Sequence, residues 1–562
     1  MPGRGIRARA TLIAAALLTT VTIARSVPAG AAEPELPRAT VDTTHVPPTG
    51  RTIQVAPGGN LQGALNAAQP GDVISLAAGA QFMGPFTLPK NPGDRWIIIR
   101  SSTPDSRLPP PGTRVTLAHA PLMPAIVGRA GSAAIQTAPG AHHFRFIGIE
   151  VRPAAGAFVY DLIQLGANER SENELPHHII FDRCYIHGDP SRGGRRGFVL
   201  NSKSTAVIDS HVSDFKEAGA DSQAIAGWNG PGPFTIVNNY LEGAGENLMF
   251  GGADPRVPNL VPADIEIRGN HFSKPLSWRV GYPGYAGTAW TIKNLLELKN
   301  ARRVLITGNL FEHSWEHAQT GWAILFTVRN QEGGAPWSDV SDVTFARNIV
   351  RRAGSGVQMH GTDDNFRSQQ TKRILIRDNL FDDINSAAWG GSGRLFQVAG
   401  GVVDVTIDHN TAFHSGNVIT SAIPTAPNTG FVYRNNITAH NAYGVIGDNK
   451  SSGNTTLATY FPGAVFTRNV LAGLWPSPGG TTISQYSNHQ GNFFPAALEA
   501  VGFADFKGGD YRLRATSPYR KAGTDGQDLG ADIEALRASG LLPGGPGRPL
   551  PESERRRPPA RR

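Results

Sequence analysis

One phrase recurs along this chain and leaves few folds open to it. It reads "VLITGNLFEHS" at 304–314, "VTFARNIVRRA" at 343–353 and "ILIRDNLFDDI" at 374–384: an apolar run, an Asn, one residue, and an apolar run again. With the Asn as reference slot, the phrase places Asn239, Asn270, Asn309, Asn348, Asn379, Asn410, Asn436 and Asn469 in register, and weaker copies put Ile149, Cys184 and Ser210 there. Successive slots lie 26 to 39 residues apart. A repeat of that length signals a solenoid or an array of units. Short Val/Ile/Phe/Thr runs of period two, closed by Gly, Asn and Asp, exclude helical repeats. Leu does not recur at the fixed offsets of leucine-rich repeats, and propeller blades hold a steadier length. The remaining architecture is an all-β, single-stranded parallel β-helix, in which each unit is one coil and surplus residues bulge out as loops.

The Asn slot has a physical reading. A coil bends sharply between strands, and Asn tolerates the left-handed backbone that a bend requires. Coils stack at about 4.8 Å, so equivalent Asn side chains can hydrogen-bond along the stack as an Asn ladder. These residues are expected to build the scaffold rather than to act on a substrate. Cys184, the one cysteine, occupies a ladder slot and is expected to be a buried structural thiol.

Charge narrows the function. The formal net charge of +8 is spread unevenly: four units fall within residues 1–31 and four within the stretch from Leu541 onward. The remainder is neutral, so a basic nucleic-acid-binding core is not supported. Residues 1–31 have the form of a signal peptide, with Arg4, Arg7 and Arg9 ahead of "TLIAAALLTTVTIA" and then "AGA" before Ala32. No second apolar stretch is long enough to span a membrane. A linker is expected over 32–50, the β-helix over 51–535 and a disordered Pro/Arg-rich tail over 536–562.

A solenoid needs a cap over its open core. "NLQGALNAAQPGD" (60–72) reads as a short amphipathic helix capped by Asn60, followed by a turn. This opening resembles the N-terminal cap of right-handed β-helix proteins of the pectate-lyase-like superfamily. "DYRLRATSPYRKAGTDGQDLGADI" (510–533) resembles the closing segment of secreted β-helix proteins. The resemblance implies a right-handed coil.

A filled solenoid has no interior pocket, so ligands must bind on an outer sheet face or between loops. Aligned by their ends, "NLLELKN" (294–300), "ILFTVRN" (324–330) and "GVQMHG" (356–361) show one outward column of Glu297, Thr327 and Gln358. The next column is Lys299, Arg329 and His360. Stacked cations repel, and their concentration on a neutral solenoid marks a candidate site. A Lys followed by an Arg on the next coil, with "GNLF" (308–311) between, resembles the catalytic pair of polysaccharide lyase family six, the alginate lyase and chondroitinase B group. The resemblance implies Lys299 as base, Arg329 as acid and calcium neutralising a uronate carboxylate; His360, next in the same column, is a further catalytic candidate. Glu246, Asn247 and Glu297 are the candidate calcium ligands. The sequence departs from that family in lacking further acidic residues just before Lys299, and its loop between Lys299 and Arg329 is longer. Trp278 and Trp315, with Trp322, are candidate sugar platforms, and Glu297 and Gln358 candidate substrate contacts.

Two other motifs compete. "HSWEH" places His313 and His317 around Glu316, and "HGTDDN" supplies Asp363 and Asp364. The expected function is a secreted, periplasmic or extracellular polysaccharide lyase cleaving an acidic, uronate-containing polymer by β-elimination. A monomer is expected, binding polysaccharide and neither nucleic acid nor a membrane. One alternative is a glycoside hydrolase using carboxylate pairs drawn from Glu242, Glu246, Glu312 and Glu316. Another is a non-catalytic carbohydrate-binding or surface β-helix.

Overall fold

The computed structural model describes residues 31–422, 426–473 and 483–542; the segment expected as a signal peptide lies outside them up to residue 30. Each coil contributes one strand in turn to a first sheet of 14 strands, a second of 13 and a third of 12. Strand pairing within all three is parallel, and the antiparallel pair is a terminal hairpin, Phe503–Asp505 with Asp510–Leu513. The chain is a right-handed parallel β-helix, the hand that parallel crossover connections of L-residues favour. The amphipathic helix Leu61–Ala67 covers one end, with the Asn60 side chain accepting from the Gly63 amide at 2.8 Å.

Alternation packs the interior. Ile163, Phe198, Ile225, Leu248, Leu296, Ile324, Val357, Phe396 and Ile419 are aligned in register and buried. Such columns of like side chains form one continuous apolar core.

The ladder is present, and it is closed. Asn309 donates from its amide (3.0 Å) and from Nδ2 (2.9 Å) to Oδ1 of Asn348. Asn348 does the same to Asn379, and Asn379 to Asn410. The pattern runs from Asn239 to Asn492, a final rung that the repeat phrase had not revealed. Ser210 and Cys184 extend it in weaker form: the Cys184 amide donates to Ser210 Oγ at 3.0 Å, and the Ser210 amide to Asn239 Oδ1 at 2.9 Å. Burial pushes the Cys184 thiol up to about 12.

The reason given above for Asn needs correction, because the left-handed residue is the one before the slot. Asn238, Arg347, Asp378, His409, Asn435 and Arg468 have φ between 51° and 59°, while Gly269 and Gly308 fill the same position. The ladder Asn is selected by its hydrogen bonds, and the bend by its predecessor.

The described segments nearest both ends lie along the outside. In the segment expected as a linker, the Glu35 amide donates to Asp342 (3.1 Å), the Arg38 amide to Asp264 (2.9 Å) and the Val41 amide to Thr235 Oγ1 (3.2 Å). Arg145 clasps the Thr43 and Thr44 carbonyls. Residues 35–44 are thus a strap across the outer face of the first sheet. It docks on a column whose register sets Asp264, Arg303, Asp342 and Arg373 one above another. Arg303 pairs with Asp264 and Arg373 with Asp342.

The C-terminal segment folds back over the second sheet. Val501, Phe503 and Tyr519 pack on Ile437 and Val470, and Leu536 and Leu541 pack on Ile349 and Leu380. The expected boundary at 535 therefore falls inside the helix Ile533–Ala538, and ordered packing runs past it; the tail from 543 lies outside the described residues. The segments 35–44 and 501–541 thus lie on the first and second sheets respectively.

Candidate active site

The third sheet carries the cluster through the strands Gln223–Gly227, Glu246–Phe250, Leu296–Leu298 and Trp322–Thr327. Pairing Leu248 with Leu296 sets Glu246 beside Asn294 and Met249 beside Glu297. Glu246 is 0% exposed and Glu297 3%, yet both are flanked by lysines. Glu246 Oε2 accepts from Gln223 Nε2 at 2.7 Å, and its Oε1 lies 3.7 Å from Lys293 Nζ. Lys293 also bonds Asp221 at 2.5 Å. Glu297 Oε2 accepts from Asn294 Nδ2 at 3.2 Å, and its Oε1 lies 3.7 Å from Lys299 Nζ. The arrangement is two largely buried lysine side chains, 16% and 15% exposed, standing beside two fully buried carboxylates.

Electrostatics follow from that layering. Burial, then the neighbouring charges of Glu297 and Asp221, push the Glu246 carboxyl up to about 7. Burial opposes the charge of Lys293, but Glu246 and the bond to Asp221 outweigh it and hold the ammonium above its ordinary value. Two buried oxygens, Glu246 Oε1 and Asn294 Oδ1, have no hydrogen-bond partner. Burying such atoms unpaired is costly, so the cluster has capacity to bind something more.

The outward columns differ from the expected alignment by two residues in one coil. Glu297 pairs with Leu325, which pairs with Gln358. Leu298 pairs with Phe326, so Lys299 stands beside Thr327, which pairs with His360. Alternation fixed the face but not the rung. Arg329 nonetheless adjoins Lys299, since its amide donates to the Lys299 carbonyl at 2.8 Å. Their side chains diverge: Arg329 binds Asp363 (3.1 Å) and Asp364 (3.4 Å), and His360 Nε2 contacts Asp364 at 2.8 Å. Within "HGTDDN", Asp363 and Asp364 supply the counter-charge to Arg329, and Asp364 also bonds His360.

Four further expectations are corrected. Asn247 is not positioned as a metal ligand, because it points inward; its Oδ1 accepts from the buried Lys274 at 2.9 Å and its Nδ2 donates to the Leu241 and Ser273 carbonyls. Trp278 (4% exposed) and Trp315 (3%) are not open sugar platforms, because they pack with Trp290 and Trp389 in one cluster, and Trp278 covers Lys216; Trp322 is buried too. The four glutamates of the hydrolase alternative do not converge. Glu242 and Glu312 belong to the second sheet, where Glu312 binds His271 and Arg351. Glu316 sits in a loop bonded to the Gly391 amide. The two rings of "HSWEH" also part: His313 lies against Trp389, and His317 Nδ1 accepts from the Ile292 amide.

Sequence reasoning missed Gln223, Asp221, Lys293 and Asn294. The aromatic surface it missed is Trp228, half-buried beside the cluster with Arg196 over its ring at 5.4 Å. Arg196 bonds Gln223 at 3.1 Å, which ties Trp228 to the same network. A signal existed in "TIKNLLELKN" (291–300), where two lysines and a glutamate flank an apolar core.

No family model matches this sequence, and a search of curated proteins gives no significant match. Solved structures do resemble the chain. A mannuronic acid specific polysaccharide family 6 lyase from human gut microbiota shares 13% identity over 75% of this chain and 86% of that one, with a TM-score of 0.43. The family 6 alginate lyase AlyGC shares 14% over 75% of this chain and 51% of that one (TM-score 0.47). The catalytic unit of a GH87 alpha-1,3-glucanase from Streptomyces thermodiastaticus strain HF3-3 shares 14% over 79% and 70% (TM-score 0.43). Lyases and a hydrolase alike stand among them, and at these identities none bears on which reaction this chain performs.

Proposed function

We propose that this chain is a secreted polysaccharide lyase that cleaves an acidic, uronate-containing polymer across the outer face of the third sheet. The observation that supports this reading most is the pair of lysines, Lys293 and Lys299, beside the buried Glu246 and Glu297. Lys293 is bonded to Asp221 at 2.5 Å, whereas Lys299 has a carboxylate only at 3.7 Å and is the freer of the two to turn toward a reacting carbon. In this reading Lys293, Arg196 and Arg329 bind the polymer's carboxylates, Gln358 lines the same face, and Trp228 stacks on a sugar ring.

The step is a β-elimination. Lys299 Nζ takes the proton on the carbon next to the uronate carboxylate. The C–H electrons form the C4–C5 double bond as the C4–O bond breaks, and the departing oxygen recovers a proton from the Lys299 ammonium. Arg329 is engaged by two aspartates, so its expected role as acid gives way to carboxylate binding.

In this reading Glu246, Asn294 and Glu297 would be the oxygen donors for a calcium ion, Glu246 Oε1 and Asn294 Oδ1 being without hydrogen-bond partners; when bound, it would neutralise charge on the uronate carboxylate. Lys293 would compete with it for Glu246.

The mature protein should be incubated with polymers of mannuronate, guluronate and galacturonate while the ultraviolet absorbance of the unsaturated product is recorded. Rising absorbance is the expected result, lost in Lys299→Ala. Reducing ends without absorbance would instead favour a hydrolase, for which Glu246, held near neutrality, is the candidate acid. No change with any polymer would favour a non-catalytic binder.

A further inference from the structure

Far from that cluster, on the first sheet, two adjacent coils each carry a His-His pair. His142 pairs in register with His177, and His143 and His178 follow them. The second histidine of each pair has left-handed backbone, φ 58° and 52°, which keeps both rings of a pair on the outer side. Their Nδ1 atoms meet at 2.8 Å in His142/His143 and at 2.7 Å in His177/His178. The rings stack between coils at 4.6 Å (His142 on His177) and 4.5 Å (His143 on His178), nearly parallel. Trp96 closes one side, edge-on to His143 at 5.3 Å.

Stacking of like residues is ordinary in a solenoid, so the comparison within the column decides. His143 and His178 occupy the left-handed position filled in later coils by Asp264, Arg303, Asp342 and Arg373. There, opposite charges face each other and neutralise. At the histidine end two identical bases face each other with no complement among themselves. A cation is the partner that such a column lacks.

We propose that His142, His143 and His177 form a binding site for a divalent transition-metal ion of the Zn²⁺ or Cu²⁺ class. One ring nitrogen from each lies within 4.8 Å of the other two. A tetrahedral ion with bonds near 2.0–2.1 Å needs ligand nitrogens roughly 3.3 Å apart, so modest ring rotations close the site. Imidazole is the ligand type that such ions prefer. His178, bonded to His177, orients that ring as an outer partner does in metal centres. The ion would tie two coils together.

The test uses the full mature protein, stripped of metal and titrated with Zn²⁺ by calorimetry and with Co²⁺ by visible absorption. One ion per chain and the d–d bands of a low-coordinate Co²⁺ site are expected. A His143→Ala/His177→Ala variant should lose at least a hundredfold in affinity, while His119→Ala, remote from the cluster, should not change. His143→Gln keeps a hydrogen-bonding side chain and serves if the double variant misfolds; it should also weaken binding. A folded wild-type protein that binds neither ion, or binding unaltered in the variants, overturns the proposal and leaves the rings as stacked imidazoles only.

Discussion

The Asn ladder and the lysine–glutamate cluster are both buried polar arrays, built by the same stacking of coils, yet they end in opposite states. In the ladder every rung from Asn239 to Asn469 spends its Nδ2 on the next Oδ1 and on a carbonyl. Nothing is left to bind a ligand. In the cluster Glu246 Oε1 and Asn294 Oδ1 lack partners, and Lys299 stands 3.7 Å from its carboxylate. A closed network rigidifies a fold, whereas an open one stores the capacity to bind. The same inventory of side chains thus serves as scaffold or as site according to whether its hydrogen bonds are complete.

Four measurements break or sharpen that contrast. Lys299→Ala should lower turnover of the uronate polymer by about 10²–10⁴-fold, the usual loss for a general base, while binding measured separately persists. Retained turnover would remove Lys299 from the chemistry. The second is a pH effect at Glu246. Its folded value of about 7 exceeds its ordinary 4.5, so between those limits the folded chain holds a proton that the unfolded chain has released. Its contribution to stability is full below the lower limit and is lost as pH rises toward 7. Glu246→Gln should flatten this slope, by no more than about 2–3 kcal/mol between pH 4.5 and 8; Glu242, also raised to about 7, leaves part of it. An unchanged slope would mean that Glu246 is ionised and otherwise compensated. Third, Asn348→Ala should cost about 1–3 kcal/mol in chemical denaturation, because it strands the Asn309 donors in the core. Last, Asn492→Ala at the half-buried end of the ladder should cost under about 1 kcal/mol; an equal cost at both rungs would show that the ladder does not act rung by rung.

The fold was legible because the ladder punishes substitution: a buried rung needs both an acceptor and a donor, so Asn recurs visibly. The outer face carries no such demand. Period two told which side Lys299, Glu297, Gln358 and His360 occupy, but loops of unequal length hid the two-residue offset at Arg329. Trp278 and Trp315 misled because a loop tryptophan reads the same whether it faces solvent or folds onto Lys216. Asn247 misled because alternation fails beside the turn where Lys274 enters. The strap at 35–44 left no pattern, since its backbone amides do the binding. The histidine pairs were written in the sequence, "HHF" and "HHI" standing 35 residues apart, the interval that also separates Ile149 from Cys184.

The strap has a consequence for the order in which the molecule assembles. Neighbouring coils join residues some 30 positions apart, but the Glu35–Asp342 bond closes a loop of 307. Stacking can propagate coil by coil, as in other solenoids, whereas that closure must wait until the coil bearing Asp342 exists. Long-separation contacts are the slow ones to form. The strap is therefore a late latch: coils wind first, and the amino-terminal segment then fastens across them, so that unwinding from that end must begin by releasing it.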